Sequence, residues 1–201
     1  MSGVISEITE IFKDLVKIVD WFEGEAYKLE CRNASIAILV VNKTKNTELR
    51  YMSDGGQDYF VHGEFFKTMT NDQMNLHPSE DKPPGALMFV SSAEGSWFGV
   101  SGGLRWQTIN KTEDGKNGYF YMGFLDRKYY GISIDVSKDK KTAEDGAYEI
   151  ATSDIPWQVD RNGFTLQATM PTQEEFEAMG GKDSIKAKSV MVYVIRDQDE
   201  I

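Results

Sequence analysis

"SWFGVSGGLRWQTINKTEDGKNGYFYMGFLDRKYYGISIDV", residues 96–136, contains three runs rich in β-branched and aromatic residues: "SWFGVSGGLRWQTI", "GYFYMGFL" and "YYGISIDV". The turn-former "EDGKNG" parts the first two. Runs of this composition bounded by Gly, Asp and Asn read as strands. Working outward, "SIAILVVN", "LRYM", "DYFVHGEFF" and "ALMFVS" precede them, and "FTLQAT" and "SVMVYVI" follow. Turn-formers "SDGGQD", "KPPG" and "DRNG" lie between, at spacings of roughly 10 to 20 residues, the pattern of an antiparallel sandwich or barrel. No βαβ alternation is present. Successive strand side chains alternate between faces, so of the adjacent pair Tyr129 and Tyr130 at least one is expected at the surface.

One stretch has a different period. In "VISEITEIFKDLVKIVDWF", residues 4–22, apolar residues fall at Val4, Ile5, Ile8, Ile11, Phe12, Leu15, Val16, Ile18, Val19 and Phe22, with charged and polar residues between. That spacing predicts an amphipathic helix. At 1.5 Å per residue it would be about 28 Å long, close to the hydrocarbon thickness of a bilayer. Alone it could not cross lipid, because its charged face would need water or partners. "KKTAEDGAYEIATS" and "TQEEFEAMGG" are shorter helical candidates. The expected fold is therefore mainly β: one domain over 1–201, with an amphipathic helix over 1–23 and an antiparallel β-sandwich with one or two short helices over 24–201.

With 201 residues, 40% of them hydrophobic, the chain can bury one sizeable core. Its formal net charge of −10 argues against nucleic acid, which demands clustered Lys and Arg. The single cysteine, Cys31, excludes an internal disulfide, and two histidines without a cysteine partner leave no zinc spacing. Sequons at Asn33, Asn42 and Asn110 hint weakly at extracellular life. Charged residues interrupt the apolar pattern at the start of the chain, so it is not a secretory signal.

A catalytic constellation is not legible. "GVSGG" lacks the Lys-Ser/Thr of a P-loop, and His62 and His77 have no nucleophile elbow beside them. The pairs Asp54 and Asp58, or Asp197 and Asp199, lack the ligand spacing of a calcium loop. No enzyme activity, cofactor or metal site is expected. Trp97, Phe98, Trp106, Tyr119, Phe120, Tyr121, Phe124, Tyr129, Tyr130 and Tyr148 form an aromatic concentration, mostly core, whose exposed members suit a membrane interface or a choline-like cation.

The order of parts resembles the actinoporins, the sea anemone type of α-pore-forming cytolysin, and their relatives among fungal fruit-body lectins. "IAILVVNKTKNTELRY" is similar to that family's first strand and Asn-containing turn, and "PPGALMF…GVSGGLRW" to its Pro-x-Gly-x-Ala stretch and glycine-spaced strand. "YFYMGFLDRKYYGISIDVSKDKKTAEDGAYE" resembles the strand, aromatic loop, basic turn and short helix, and "AKSVMVYVI" the closing strand. The resemblance implies binding of phosphocholine headgroups through Gly123, Phe124, Tyr129, Tyr130 and Tyr148. It also implies homo-oligomerisation and insertion of the N-terminal helix with Gly24 as hinge. Glu7, Glu10 and Asp14 would then line a cation-conducting lumen. Release as a soluble protein before reaching a target membrane is expected, with cytosolic storage also open in the absence of a signal peptide. The family's Ser-Val-Pro and Arg-Gly-Asp are absent, and Ala151, Thr152 and Ser153 replace its further tyrosines. A lectin binding cell-surface glycans on the same sandwich, without pore formation, is the alternative.

Overall fold

The structure is a computed structural model. It describes residues 35–52, 59–62, 64–67, 72–79, 83–92, 100–110, 118–126, 130–137, 157–172, 174 and 189–198, with backbone alone at 35, 59–62, 64–67, 125–126, 130–137 and 189. Among these residues eleven strands make two sheets. The first sheet has the order β4 (Glu64–Lys67), β5 (Gly85–Ser91), β1 (Ser35–Asn42), β11 (Ser189–Asp197), β10 (Phe164–Thr169), β9 (Trp157–Arg161). The second has β2 (Thr47–Tyr51), β6 (Val100–Asn110), β7 (Gly118–Asp126) and β8 (Tyr130–Ser137), with β3 (Tyr59–His62) also on β6. The predicted mainly-β class is the observed one. The N-terminal helix and both shorter helical candidates fall outside the described residues, Thr172 and Glu174 excepted.

Pairing is antiparallel except between β1 and β11, which run parallel with Ile36 opposite Ser189 and Asn42 opposite Ile195. The sequence reading expected antiparallel pairs throughout. Parallel neighbours need a long crossover, and here most of the chain lies between the two. "DYFVHGEFF", read as one run, divides: β3 joins the second sheet and β4 the first. β9 was not expected as a strand. Its cue is the Asn162-Gly163 pair that joins it to β10, with φ of 50° and 84°. Two successive left-handed residues are what a two-residue type I′ hairpin turn requires, and glycine supplies the second without a Cβ clash.

Alternation along the strands builds the core. Ile36, Ile38 and Val40 of β1 and Met191, Tyr193 and Ile195 of β11 face Leu104 and Trp106 of β6 and Phe120, Met122 and Phe124 of β7. The opposite face of the first sheet is buried too, with Ala37, Leu39, Val41, Leu87, Phe89, Val190, Val192 and Val194 no more than 4% exposed. Burial on both faces accounts for the unbroken apolar run of "SIAILVV", since neither register position calls for a polar residue.

Three polar side chains inside this core, Asn42, Tyr193 and Trp106, are hydrogen-bonded. Asn42 is fully buried, and its Nδ2 donates to the carbonyls of Thr47 (2.7 Å) and Leu76 (2.9 Å). Its Oδ1 accepts from Thr44 N (3.0 Å), and the Thr44 hydroxyl lies 2.7 Å away. A buried amide with both hydrogens committed is inaccessible to a glycan, so the sequon at Asn42 is not a glycosylation site of the folded protein. The two sheets are tied by Tyr193, whose hydroxyl donates to the Gly123 carbonyl at 2.8 Å. Trp106 Nε1 donates to the Met74 carbonyl at 2.9 Å, fixing an indole that packs on Tyr51 and Phe120.

Candidate functional site

The β7–β8 hairpin carries most of the residues expected to read a headgroup. Its ladder runs from Tyr119 opposite Ser137 to Asp126 opposite Tyr130, leaving residues 127–129 as the connection. Tyr130 therefore stands at the first position of an edge strand, beside the tip. Tyr129 belongs to the connection itself, and Tyr129 and Tyr148 both lie outside the described residues. Of the other expected residues, Val4, Ile5, Ile8, Ile11, Phe12, Leu15, Val16, Ile18, Val19, Phe22, the acids Glu7, Glu10 and Asp14, and Gly24 lie outside them too.

Two expectations are corrected. Phe124 is wholly buried and packs in the core between the sheets, so it presents no ring to a headgroup. Gly123 is buried opposite Gly103 on one side and Ser133 on the other, with its carbonyl engaged by Tyr193. The absence of a side chain at Gly123 lets the phenol approach the backbone. The resemblance implies a headgroup contact for both residues. The register instead sets them two and three positions below the last paired residue, inside the sandwich.

On the other face of the second sheet, Arg105 pairs in register with Tyr121, and Tyr121 with Asp135. Arg105 and Tyr121 are buried, at 4% and 2% exposure, so neither side chain is open to solvent. The Tyr119 ring lies 6.4 Å from Tyr121 and is half-exposed. Tyr121 stands five residues from the strand end at Asp126, about 17 Å at strand rise, so these tyrosines are not part of a cluster at the hairpin tip. Sequence reasoning missed the burial of Arg105 and Tyr121 on this face. Alternation says only that Phe120 and Tyr121 point apart; it does not say that both sides are covered.

The remaining polar groups give no catalytic arrangement among the described residues. His77 is exposed, with Nδ1 3.3 Å from Glu48 Oε2, and Arg50 Nη2 is 3.1 Å from the other oxygen of that carboxylate. Asp197 accepts a hydrogen bond from Lys45 N at 2.9 Å. No group of three metal-ligating side chains converges among the described residues.

No family model matches the sequence, and no curated protein matches it. Solved structures with some likeness include IP-1A from Alcaligenes faecalis, with a TM-score of 0.39 and 10% identity over 86% of this chain and 96% of that one. RahU, solved in complex with a Tris molecule, has a TM-score of 0.42 and 8% identity over 84% of this chain and 98% of its own. Likeness at this level carries nothing about activity.

Proposed function

We propose that the chain is an actinoporin-like pore-forming cytolysin. In this reading it binds lipid headgroups through the tip of the β7–β8 hairpin, assembles into a homo-oligomer on the membrane, and inserts residues 4–22 to line a cation-conducting pore. The observation that carries the reading is an amphipathic stretch of bilayer length, followed by a β-sandwich to which it is joined by a glycine-containing connection. The hairpin supports it. Its tip reads Asp126-Arg127-Lys128-Tyr129-Tyr130, a set in which phenols can meet a quaternary ammonium while cations meet the phosphate of the same zwitterionic headgroup. With Gly123 and Phe124 committed to the interior, Tyr129, Tyr130 and Tyr148 remain as headgroup candidates. The acidic charge of −10 disfavours simple adhesion to anionic lipid, leaving specific headgroup contacts as the source of affinity.

Release of an encapsulated dye from vesicles of varied headgroup composition tests the proposal. Release that depends on a choline-bearing headgroup is the expected result. Binding without release points to the carbohydrate or headgroup binder without a pore, and neither binding nor release on any composition refutes both.

A further inference from the structure

Asn42, Lys43 and Thr44 form one of the three sequons, and the atoms that N-linked glycosylation uses are the ones the fold uses. Asn42 is the last residue of β1, opposite Ile195 of β11, and its backbone N–H donates to the Pro84 carbonyl at 3.0 Å. Its two side-chain amide hydrogens go to the carbonyls of Thr47 and Leu76, and Asn42 is wholly buried. Thr44, whose hydroxyl completes the sequon, is buried as well, with that hydroxyl 2.7 Å from Asn42 Oδ1 and 2.8 Å from the Thr47 carbonyl. Acceptor nitrogen and recognised hydroxyl are therefore both enclosed once the chain has folded.

N-linked transfer joins the amide nitrogen to the anomeric carbon of an oligosaccharide carried on a lipid pyrophosphate. The bond from that carbon to the pyrophosphate oxygen breaks, the pyrophosphate leaves with the electron pair, and one amide proton passes to a base. At Asn42 the departing hydrogen is one of two already given to carbonyls, so a buried carbonyl loses its donor. The sugar must also occupy space that close-packed side chains fill. A glycan at Asn42 and the native fold exclude each other.

Chain order decides which comes first. Leu76 is 34 residues beyond Asn42, and Ile195 belongs to the last described strand. At about 5–20 residues per second of synthesis, roughly 8–30 s separate the emergence of Asn42 from that of β11. Until then the sequon lacks the partners that enclose it. We propose that Asn42 is a modification site of the nascent chain, and that its use closes the route to the fold, so the chain matures only where it meets no oligosaccharyl transferase before β11 is in place. The inference is independent of pore formation. It constrains delivery to a membrane: release follows folding in a compartment, or a cell, without that enzyme.

The test synthesises the full chain cell-free, alone as the folded reference, and with an added cleavable signal sequence in the presence of microsomes. A parallel microsome reaction contains a short Asn-x-Thr acceptor peptide that competes for the transferase. Ser35→Ala with Thr112→Ala removes the sequons at Asn33 and Asn110, so that a gel shift reports Asn42 alone. If that variant made without microsomes lacks native protease resistance, the unaltered chain is used and occupancy at Asn42 is mapped by mass spectrometry. The expected result is an imported chain that is shifted and has lost its protease resistance, with resistance recovered, and the shift gone, when the acceptor peptide is present. Imported chain that carries the glycan at Asn42 and resists protease overturns the proposal, as does chain that enters microsomes with Asn42 unmodified. So does imported chain that stays protease-sensitive after the peptide has blocked transfer.

Discussion

The phenol of Tyr193 reaches from β11 of one sheet to a backbone carbonyl of β7 in the other, and burial raises its pKa above the ordinary value of 10.0. The consequence is a pH dependence of definite sign. The folded phenol keeps its proton where the unfolded one, titrating near 10, loses it. Unfolding then releases a proton. The contribution of Tyr193 is fully present below about pH 10, and declines above it by up to about 1.4 kcal/mol per pH unit until the folded phenol itself titrates. Tyr193→Phe removes this term together with one buried hydrogen bond worth about 1 kcal/mol. Urea unfolding should show the variant less stable at pH 8, with the gap closing as pH rises past 10; a constant gap up to pH 11.5 would contradict the assignment. Single residues were unevenly legible in the sequence. Trp106 and Phe120 are the core aromatics expected, while Phe124 differs because the resemblance implies a headgroup contact for it that strand parity denies. The bonds of Asn42 to Thr44 and Thr47 are local, but its bond to the Leu76 carbonyl spans 34 residues, which no local pattern signals.

Among elements, the β7–β8 hairpin carries the proposed headgroup contact through its tip, and the register Asp126 opposite Tyr130 fixes where that tip begins. Replacing Tyr130 and Tyr148 together by Ala should weaken vesicle binding by roughly 1–4 kcal/mol, from about 0.5–2 for each cation–π contact. Unchanged flotation of the folded double variant would move the site elsewhere. The amphipathic stretch makes a second prediction. With Glu7, Glu10 and Asp14 turned to a lumen, a ring of carboxylates concentrates cations, and bilayer recordings in a salt gradient should give a reversal potential on the cation side. Glu7→Lys with Glu10→Lys should reduce or reverse that preference while leaving binding intact, and anion preference in the native chain would rule out the orientation. Strands were the most legible elements: "FTLQAT" and "SVMV" begin where β10 and β11 do. β9 escaped because "WQVDR" holds only two apolar residues, and the Asn-Gly turn after it was read as a boundary instead of a hairpin centre.

For the molecule as a whole, the parallel pair β1–β11 joins the first and last described strands at the centre of the larger sheet. That closure depends on contacts between the two ends of the chain, which no local pattern encodes, so the sandwich class was legible in the sequence and its strand order was not. A frame closed in this way can hold the hairpin tip in place while residues 1–23, attached ahead of β1, act separately on a membrane. The most direct measurement of that division compares the full chain with a chain lacking residues 1–23, on phosphatidylcholine vesicles loaded with dye. The account predicts that both float with the vesicles and that only the full chain releases the dye. Equal release by the shortened chain would contradict it.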